Sequence, residues 1–324
     1  MKIKYLYMVL MLMPFLFSCE KEIEFKGGEV KPLMVMNGFL QSDSAVKVHL
    51  SASRFFLDDR DFKALGNAEV ELWKDGAKIE NLVYDGNGWY KGSCIARQGD
   101  VLTLKATCAG YDAVEAETEI LRPTPLLQID TANLAHEITY DKDTYYLTMN
   151  GDIDLVFQDD ADKENYYELN TYIKLYYADG HTSIHSVYFK SDAIVYHQSG
   201  TELNFDDDDY DSTYGEPYPP FSDELINGKK YSMKIKIKDF HFYSYWTDNT
   251  NYSNQIPVRT EFCAELVSLT RSIYLFSTTR KTALDSYNTV VELFSEPVQI
   301  HSNVKGGIGL LGNFERAAKG VELK

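Results

Sequence analysis

The chain has 324 residues, a net charge of −17 at pH 7 and a high aromatic content that includes 24 Tyr and 17 Phe. This length is enough for about two domains with real hydrophobic cores. The acidic balance, with no basic run and no interleaving of basic and aromatic residues, excludes a nucleic-acid-binding protein.

The first nineteen residues have the pattern of a lipoprotein signal peptide. Lys2 and Lys4 precede an apolar stretch that is too short and too terminal for an ordinary spanning helix. The stretch ends in Leu16-Phe17-Ser18-Cys19, which resembles a lipobox, where a small residue precedes the cysteine that takes the diacylglycerol. We predict removal of residues 1–18 and lipidation of Cys19. The alternative is an ordinary secretory signal with a cysteine at its cleavage site by chance.

The residues after Cys19 predict the location of the mature protein. Because the chain is acidic, attachment to the membrane must come from the acyl chains and not from binding to anionic lipid heads. Glu20-Lys21-Glu22-Ile23-Glu24 resembles the short acidic tag of lipoproteins exported to the outer face of the outer membrane in Bacteroides-type bacteria. We therefore predict a lipid-anchored protein of the outer membrane, at the cell surface. A solvated tether with no sorting role is the alternative.

Residues 30–122, after a tether at 19–29, have the pattern of an Ig-like β-sandwich. The apolar run from Leu33 to Leu40 predicts a mostly buried strand, and alternating apolar residues predict further strands. Turns are predicted at Lys74-Asp75-Gly76, Asp85-Gly86-Asn87-Gly88 and Gln98-Gly99-Asp100. Seven short strands at this spacing indicate an antiparallel sandwich.

Part of this region is similar to a known adaptor module. Gly88-Trp89-Tyr90, Gly99, the alternating run from Val101 and the final Ala109-Gly110-Tyr111 resemble a carboxypeptidase-regulatory or transthyretin-like sandwich. The resemblance implies a non-catalytic module on an exported protein.

Arg122-Pro123-Thr124-Pro125 predicts the boundary to a second, larger antiparallel β-domain over residues 123–324. Its strands are predicted at 144–149 and 152–157, joined through Asn150-Gly151, and at 166–177, 231–238 and 258–269. One helix is predicted over 268–283. A strand at 296–304 and a flexible apolar tail at 306–312 then follow. The predicted fold class is mainly β with one late helix.

Three cysteines, Cys94, Cys108 and Cys263, remain after lipidation. An odd number leaves at least one of them unpaired. A turn near residues 97–100 would place Cys94 opposite Thr103 and not opposite Cys108. Their spacing does not indicate zinc, so we expect buried free thiols.

The whole mature chain resembles one family. The residues that carry the resemblance are Asn37-Gly38 in the first strand, the block from Phe221 to Lys229, Leu266-Val267-Ser268-Leu269, and the block from Glu296 to Gly312. They are similar to outer-membrane lipoproteins grouped as a domain of unknown function, DUF4249. The resemblance implies no assigned activity and transfers no catalytic residue. Because such proteins are often encoded beside a TonB-dependent transporter, it implies a transporter barrel as partner.

An acidic cluster is a candidate metal site. Asp206, Asp207, Asp208, Asp209 and Asp211 supply the oxygen ligands that calcium prefers. Their spacing does not match an EF-hand, and the surrounding Gly and Pro residues indicate an exposed loop. A solvated loop and a calcium site both remain open, and no other cofactor is predicted.

Two groups of aromatic residues are candidates for binding a ligand. Aromatic side chains on a rigid sandwich can stack on sugars or contact protein partners, although aromatics are also ordinary strand and core residues. The candidates are Tyr210, Tyr214 and Tyr218 in one segment, and Phe240, Phe242, Tyr243, Tyr245, Trp246 and Tyr252 in another.

The chain carries no recognised catalytic motif, so we predict that it is not an enzyme. The predicted function is a surface lipoprotein that acts as a ligand-capture or lid subunit of a TonB-dependent transporter. A stand-alone adhesin or envelope structural protein is the alternative. A hydrolase with an unrecognised site, assembled from scattered Ser, His and Asp, is a third possibility.

Overall fold

The computed structural model describes residues 31–55, 58, 60–141, 144–199, 218–245, 257–287 and 298–324. Within these ranges the chain forms sixteen strands, a 3-10 helix (Ile194–Ser199) and one α-helix, α1 (Arg271–Tyr287). The predicted fold class, mainly β with a late helix, is therefore confirmed. No helix in these ranges combines the length and the apolar character needed to cross a membrane.

The strands follow one another in the order β1 (Met34–Leu40), β2 (Ala45–Ala52), β3 (Glu69–Lys74), β4 (Ala77–Asn81), β5 (Val83–Gly86), β6 (Trp89–Ile95), β7 (Val101–Thr107), β8 (Val114–Glu119), β9 (Leu126–Asp141), β10 (Thr144–Gln158), β11 (Tyr166–Tyr177), β12 (Thr182–Ser186), β13 (Phe221–Ser222), β14 (Lys230–Tyr245), β15 (Pro257–Leu269) and β16 (Ile308–Leu323).

Among the described residues, three sheets build two sandwiches. The largest sheet has the order β12-β11-β15-β16-β1-β2-β6-β5, and β13 pairs with β11. A four-stranded sheet, β4-β3-β7-β8, packs on one half of it, and a three-stranded sheet, β14-β10-β9, packs on the other half. The nine-stranded sheet is thus shared by both sandwiches.

The first core follows directly from alternation in the strands. Met36 and Val48 from the large sheet pack against Leu72 and Leu104 from the four-stranded sheet, and all four side chains are fully buried. The predicted hairpin at Lys74-Asp75-Gly76 joins β3 to β4. Asp75 and Gly76 both have positive φ, 49° and 81°, as a two-residue type I′ turn requires.

The second core also follows from the alternation of buried and exposed residues along the strands. Ile173 and Phe262 of the large sheet lie in one cluster with Leu155 and Ile235 of the three-stranded sheet. In β14 the residues Met233, Ile235 and Ile237 are buried while the lysines between them face solvent. This arrangement confirms the alternation predicted for residues 231–238.

Strand β16 connects the two sandwiches. Its residues Ile308–Asn313 pair in parallel with β1, and Phe314–Leu323 pair antiparallel with β15. Leu311 enters the first core and Leu323 the second. The prediction of a flexible tail at 306–312 is therefore wrong, because most of that segment begins a central strand. The boundary at Arg122–Pro125 stays a prediction, since the large sheet is continuous from one sandwich to the other.

Other local predictions need correction. Asn150-Gly151 does not join two strands but lies within β10, opposite a bulge at Asp239 in β14. Residues 298–304 form no strand. The helix begins at Arg271 and not at residue 268, because Ser268 and Leu269 still pair with β16.

Helix α1 packs on the outer side of the large sheet. Ile273 lies in a small cluster with Val267, Leu269 and Leu310, which come from the two central strands β15 and β16. The helix therefore covers the place where the sheet passes from one sandwich to the other.

The three cysteines Cys94, Cys108 and Cys263 are free thiols. The expected pairing of Cys94 with Thr103 does not occur, because β6 and β7 belong to different sheets. Cys263 is only 5% exposed, and burial is the main cause that raises the pKa of its thiol to about 11.

We expect the Cys263 thiol to resist alkylation in the folded protein. A short pulse of N-ethylmaleimide at pH 8 should leave the Cys263 peptide unmodified, because the thiolate is the reactive form and is scarce at that pH. Peptide mass spectrometry measures the extent of labelling. The half-buried Cys94 should be labelled faster, and the same pulse in urea should label both. Equal labelling of Cys263 with and without urea would contradict the buried position.

Candidate functional site

An open cleft of about 930 Å³ lies where the two sandwiches meet. The first sandwich contributes Glu117 and Glu119 from β8, and the second contributes residues 158–167 and the end of β15. Residues 121–125 form its back wall, and the first turn of α1 with His301 and Asn303 completes it. Clefts between structural units are frequent ligand sites, so this cleft is the first candidate.

The back wall is fixed by hydrogen bonds from the connecting segment. The Leu121 amide donates to Asn313 Oδ1 (2.8 Å), and the Thr124 amide donates to Ser268 Oγ (3.2 Å). These bonds attach the predicted boundary segment and the residue before it to the large sheet. The cleft therefore has a rigid base and is not a gap between freely moving domains.

Two buried carboxylates lie beneath the cleft. Asp159 accepts hydrogen bonds from the Tyr167 hydroxyl and the Gly228 amide, both 2.7 Å, and Asp223 accepts one from the Asn165 amide (2.9 Å). Burial raises the pKa of the Asp223 carboxyl and also the pKa of the Tyr167 hydroxyl. Both carboxylates fix turns, which gives the block from Phe221 to Lys229 a structural role.

The cleft is lined by acidic side chains, such as Glu164, and by basic side chains, such as Arg271. Tyr166 lies stacked on Tyr274 of α1, with ring centroids 4.5 Å apart, and its hydroxyl donates to Glu164 (2.7 Å). Burial is the main cause that raises the pKa of Tyr166 to about 12. Burial, aided by Arg271, lowers the pKa of His301. Such a surface suits reversible polar contacts to a ligand.

Lys163 and Glu119 form an ion pair across the cleft. Lys163 Nζ lies 2.7 Å from Glu119 Oε1, and both side chains are about 40% exposed. We expect Lys163→Met and Glu119→Gln, alone or together, to change the free energy of unfolding by less than about 1 kcal/mol, because solvent screens exposed pairs. A double-mutant cycle from urea unfolding measures the coupling. A coupling well above that value would mean that the pair holds the sandwiches together.

The structure separates the predicted aromatic binding residues. Phe240 is 2% exposed and belongs to the second core, so a ligand cannot stack on it. Phe242 is half-buried against the same core, and Tyr218 packs there with its ring on Phe189. Tyr243 is 54% exposed on the outer side of β14. For these four residues the sequence did not distinguish core from surface.

The remaining predicted site residues lie outside the described residues. They are Cys19, Tyr210, Tyr214, Trp246, Tyr252, Asp206, Asp207, Asp208, Asp209 and Asp211, and the side chain of Tyr245 is likewise not described. The lipidation and calcium predictions therefore stay predictions. Among the residues that are described, no group of three or more His, Cys, Asp or Glu side chains has a metal-binding arrangement.

Sequence reasoning missed the cleft itself. Its walls come from residues as far apart as Gly99 and Asn303, and their proximity depends on the pairing of β16 with both β1 and β15. A local signal is present in the proline-containing segment at residues 122–125, which indicates a junction but not a wall of a site.

Fold and cleft together define a two-sandwich β-protein with an open polar cleft at the junction. The chain matches the family described as Domain of unknown function (DUF4249) over residues 20–319. The protein therefore belongs to this family, as the sequence resemblance indicated. No curated protein matches the chain. The similarity of its first sandwich to transthyretin-like modules stays a prediction.

Proposed function

We propose that this protein is a lipid-anchored protein of the outer-membrane surface that acts as a non-catalytic accessory subunit of a TonB-dependent transporter. In this role it captures ligand or covers the mouth of the barrel. The lipobox ending in Cys19 and the acidic residues after it support the location. Membership of the DUF4249 family supports the partner, because of the gene neighbourhood that the resemblance implies.

The junction cleft is the main structural observation that supports a binding role. It is open to solvent, large enough for a small ligand or a partner's loop, and supported by a shared strand. A preformed cleft loses little conformational freedom on binding, which favours affinity. The carboxylates Asp159 and Asp223 below it are engaged in structural hydrogen bonds, which favours a binding role over acid–base chemistry.

Purification from membranes tests the partner. The full-length tagged protein, extracted in a mild detergent, should bring down a large β-barrel transporter in roughly stoichiometric amount. Cys19→Ala, which removes the acylated thiol, is the control and should lose both membrane attachment and the barrel. Intact-mass measurement of the wild-type protein should show the added acyl groups.

Two results would overturn the proposal. One is recovery of the lipoprotein alone under conditions that keep other barrel–lipoprotein pairs intact. The other is an unacylated wild-type N-terminus. Binding to cell-surface polymer by cells that lack the transporter would instead favour a stand-alone adhesin.

A further inference from the structure

A second concave surface, the β11 depression, lies on the second sandwich and shares no lining residue with the junction cleft. It has a volume of about 470 Å³ and lies between β11, the short edge strand β12 and residues 187–189. Strand β12 pairs with residues 172–176 of β11, and the Val187 amide donates to the Thr171 carbonyl (2.9 Å). Strand β13 pairs with residues 166–167, so the sheet edge is open beside residues 168–170. The depression is formed by that interruption of the sheet.

Aromatic rings line the depression. Tyr172 is half-buried on the outer side of β11, and its cross-strand neighbours are Cys263 in β15 and then Gly320 in β16. Tyr172 is one of the residues that line the depression. On the other side, the rings of Phe189 and Tyr218 are parallel, with centroids 4.7 Å apart.

The aromatic wall is held in place. The Ser191 amide donates to the Tyr218 hydroxyl at 2.6 Å. The Tyr218 ring also lies against the buried Phe189. A ring fixed in this way loses little entropy when a ligand packs on it. Tyr218, which the sequence predicts as a binding residue, thus contributes a wall of the depression.

Hydrogen-bond donors and hydrogen-bond acceptors both line the β11 depression. Asn170 Nδ2 donates to Glu168 Oε1 (3.2 Å), and Arg316 Nε lies 3.7 Å from Glu265 Oε2. Asn170 and Glu265 are direct cross-strand partners. Carboxylates accept hydrogen bonds, a guanidinium donates them, and an amide does both. The depression therefore fits a ligand whose groups donate and accept side by side.

These properties select the class of ligand. Hydroxyl groups both donate and accept, and the C–H face of a sugar ring is apolar enough to pack on an aromatic ring. Two carboxylates in a chain of net charge −17 disfavour an anion. A cationic ligand would compete with Arg316, which already lies close to Glu265.

We propose that the β11 depression binds a neutral saccharide, with one pyranose ring packed on Tyr172 and its hydroxyls bonded to Asn170 and Glu265. This inference deepens the proposed function and rests on it for its biological role, because it names the class of ligand captured. Saccharide binding itself does not require the transporter.

Saturation-transfer NMR with the full-length protein in mild detergent tests the site. The probes are maltohexaose, cellohexaose, xylohexaose and mannohexaose, with oligogalacturonate as an anionic probe and a lysine-rich peptide as a cationic one. At least one neutral oligosaccharide should bind, and Tyr172→Leu and Asn170→Ala should each weaken that binding about tenfold. Tyr140→Leu, at an exposed tyrosine of the three-stranded sheet, is the matched control and should bind as the wild type does.

Thermal unfolding by circular dichroism should show that the variants remain folded. Tyr172→Phe keeps the aromatic ring and should retain most of the binding. If Tyr172→Phe binds and a folded Tyr172→Leu does not, the loss is due to the missing ring and not to misfolding. Binding of none of the neutral probes, preference for the charged probes, or equal binding by Tyr172→Leu and wild type would each overturn the proposal. Tyr172→Leu should still bring down the barrel, so a failed pull-down and a failed sugar assay are independent results.

Discussion

Asn313→Asp is expected to lower the free energy of unfolding by about 3–5 kcal/mol, because it creates an uncompensated buried charge. Asn313 is completely buried at the middle of β16. Its Oδ1 accepts from the Leu121 amide (2.8 Å), while its Nδ2 donates to the Leu40 carbonyl (2.9 Å) and to Glu315 Oε1 (3.0 Å). The side chain therefore joins the end of β1, the connecting segment and β16.

Aspartate has the same shape but the wrong hydrogen-bonding groups for this position. One carboxylate oxygen can still accept from Leu121, but the other replaces a donor and then faces a carbonyl oxygen and a second carboxylate. Buried polar atoms that lose their partners retain the full cost of desolvation. The loss should affect both sandwiches, because the main chain of Asn313 also bonds to Thr270 at the end of β15.

Urea unfolding followed by far-UV circular dichroism measures this effect. Asn133→Asp, at an exposed position of β9, adds the same charge and should change the free energy of unfolding by no more than about 0.5 kcal/mol. If the two variants unfolded at the same urea concentration, Asn313 would not be the buried junction of the two sandwiches.

The sequence predicts strands well where one face is buried and the other solvated. In β14 the alternation of Met233, Ile235 and Ile237 with lysines identifies both the strand and its inner side. Regular alternation of buried and exposed residues ends two residues after Ile237. An extra residue at Asp239, with φ 48°, forms a bulge that reverses the two sides, so Phe240 turns into the core. Period-two reasoning cannot locate such a bulge without the partner strand.

Strand β16 shows a different limit. Its second half is rich in alanine, glycine and charged residues, which have low strand propensity, and it lacks regular apolar alternation. It is a strand because β1 supplies hydrogen-bonding partners to its first half and β15 supplies them to its second half. The junction cleft was unpredictable for the same reason, since its walls meet only through pairings between distant parts of the chain.

Gly309→Ala is expected to destabilise the protein by about 3–5 kcal/mol, the combined cost of a steric conflict and an unfavourable backbone conformation. Gly309 has φ +132°, and a Cβ atom at this position would lie 2.0 Å from the carbonyl oxygen of Met36 in β1. A Cβ atom added at Gly306 or at Gly307 would likewise lie 2.1 Å from the Ala113 carbonyl oxygen or 2.3 Å from the Met34 carbonyl oxygen. Glycine at these positions permits close packing of the backbone and does not indicate flexibility.

Gly110→Ala separates the two causes. Gly110 also has positive φ, +88°, but a Cβ atom added there would meet nothing within 4 Å. This variant should lose only the conformational term, about 1–2 kcal/mol. The difference between the two variants in urea unfolding therefore measures how closely the start of β16 lies against β1. Amide hydrogen exchange should show faster exchange in β1 for Gly309→Ala alone. Equal destabilisation with unchanged exchange would mean that residues 307–309 do not lie against β1, and the prediction of a flexible tail would then be correct.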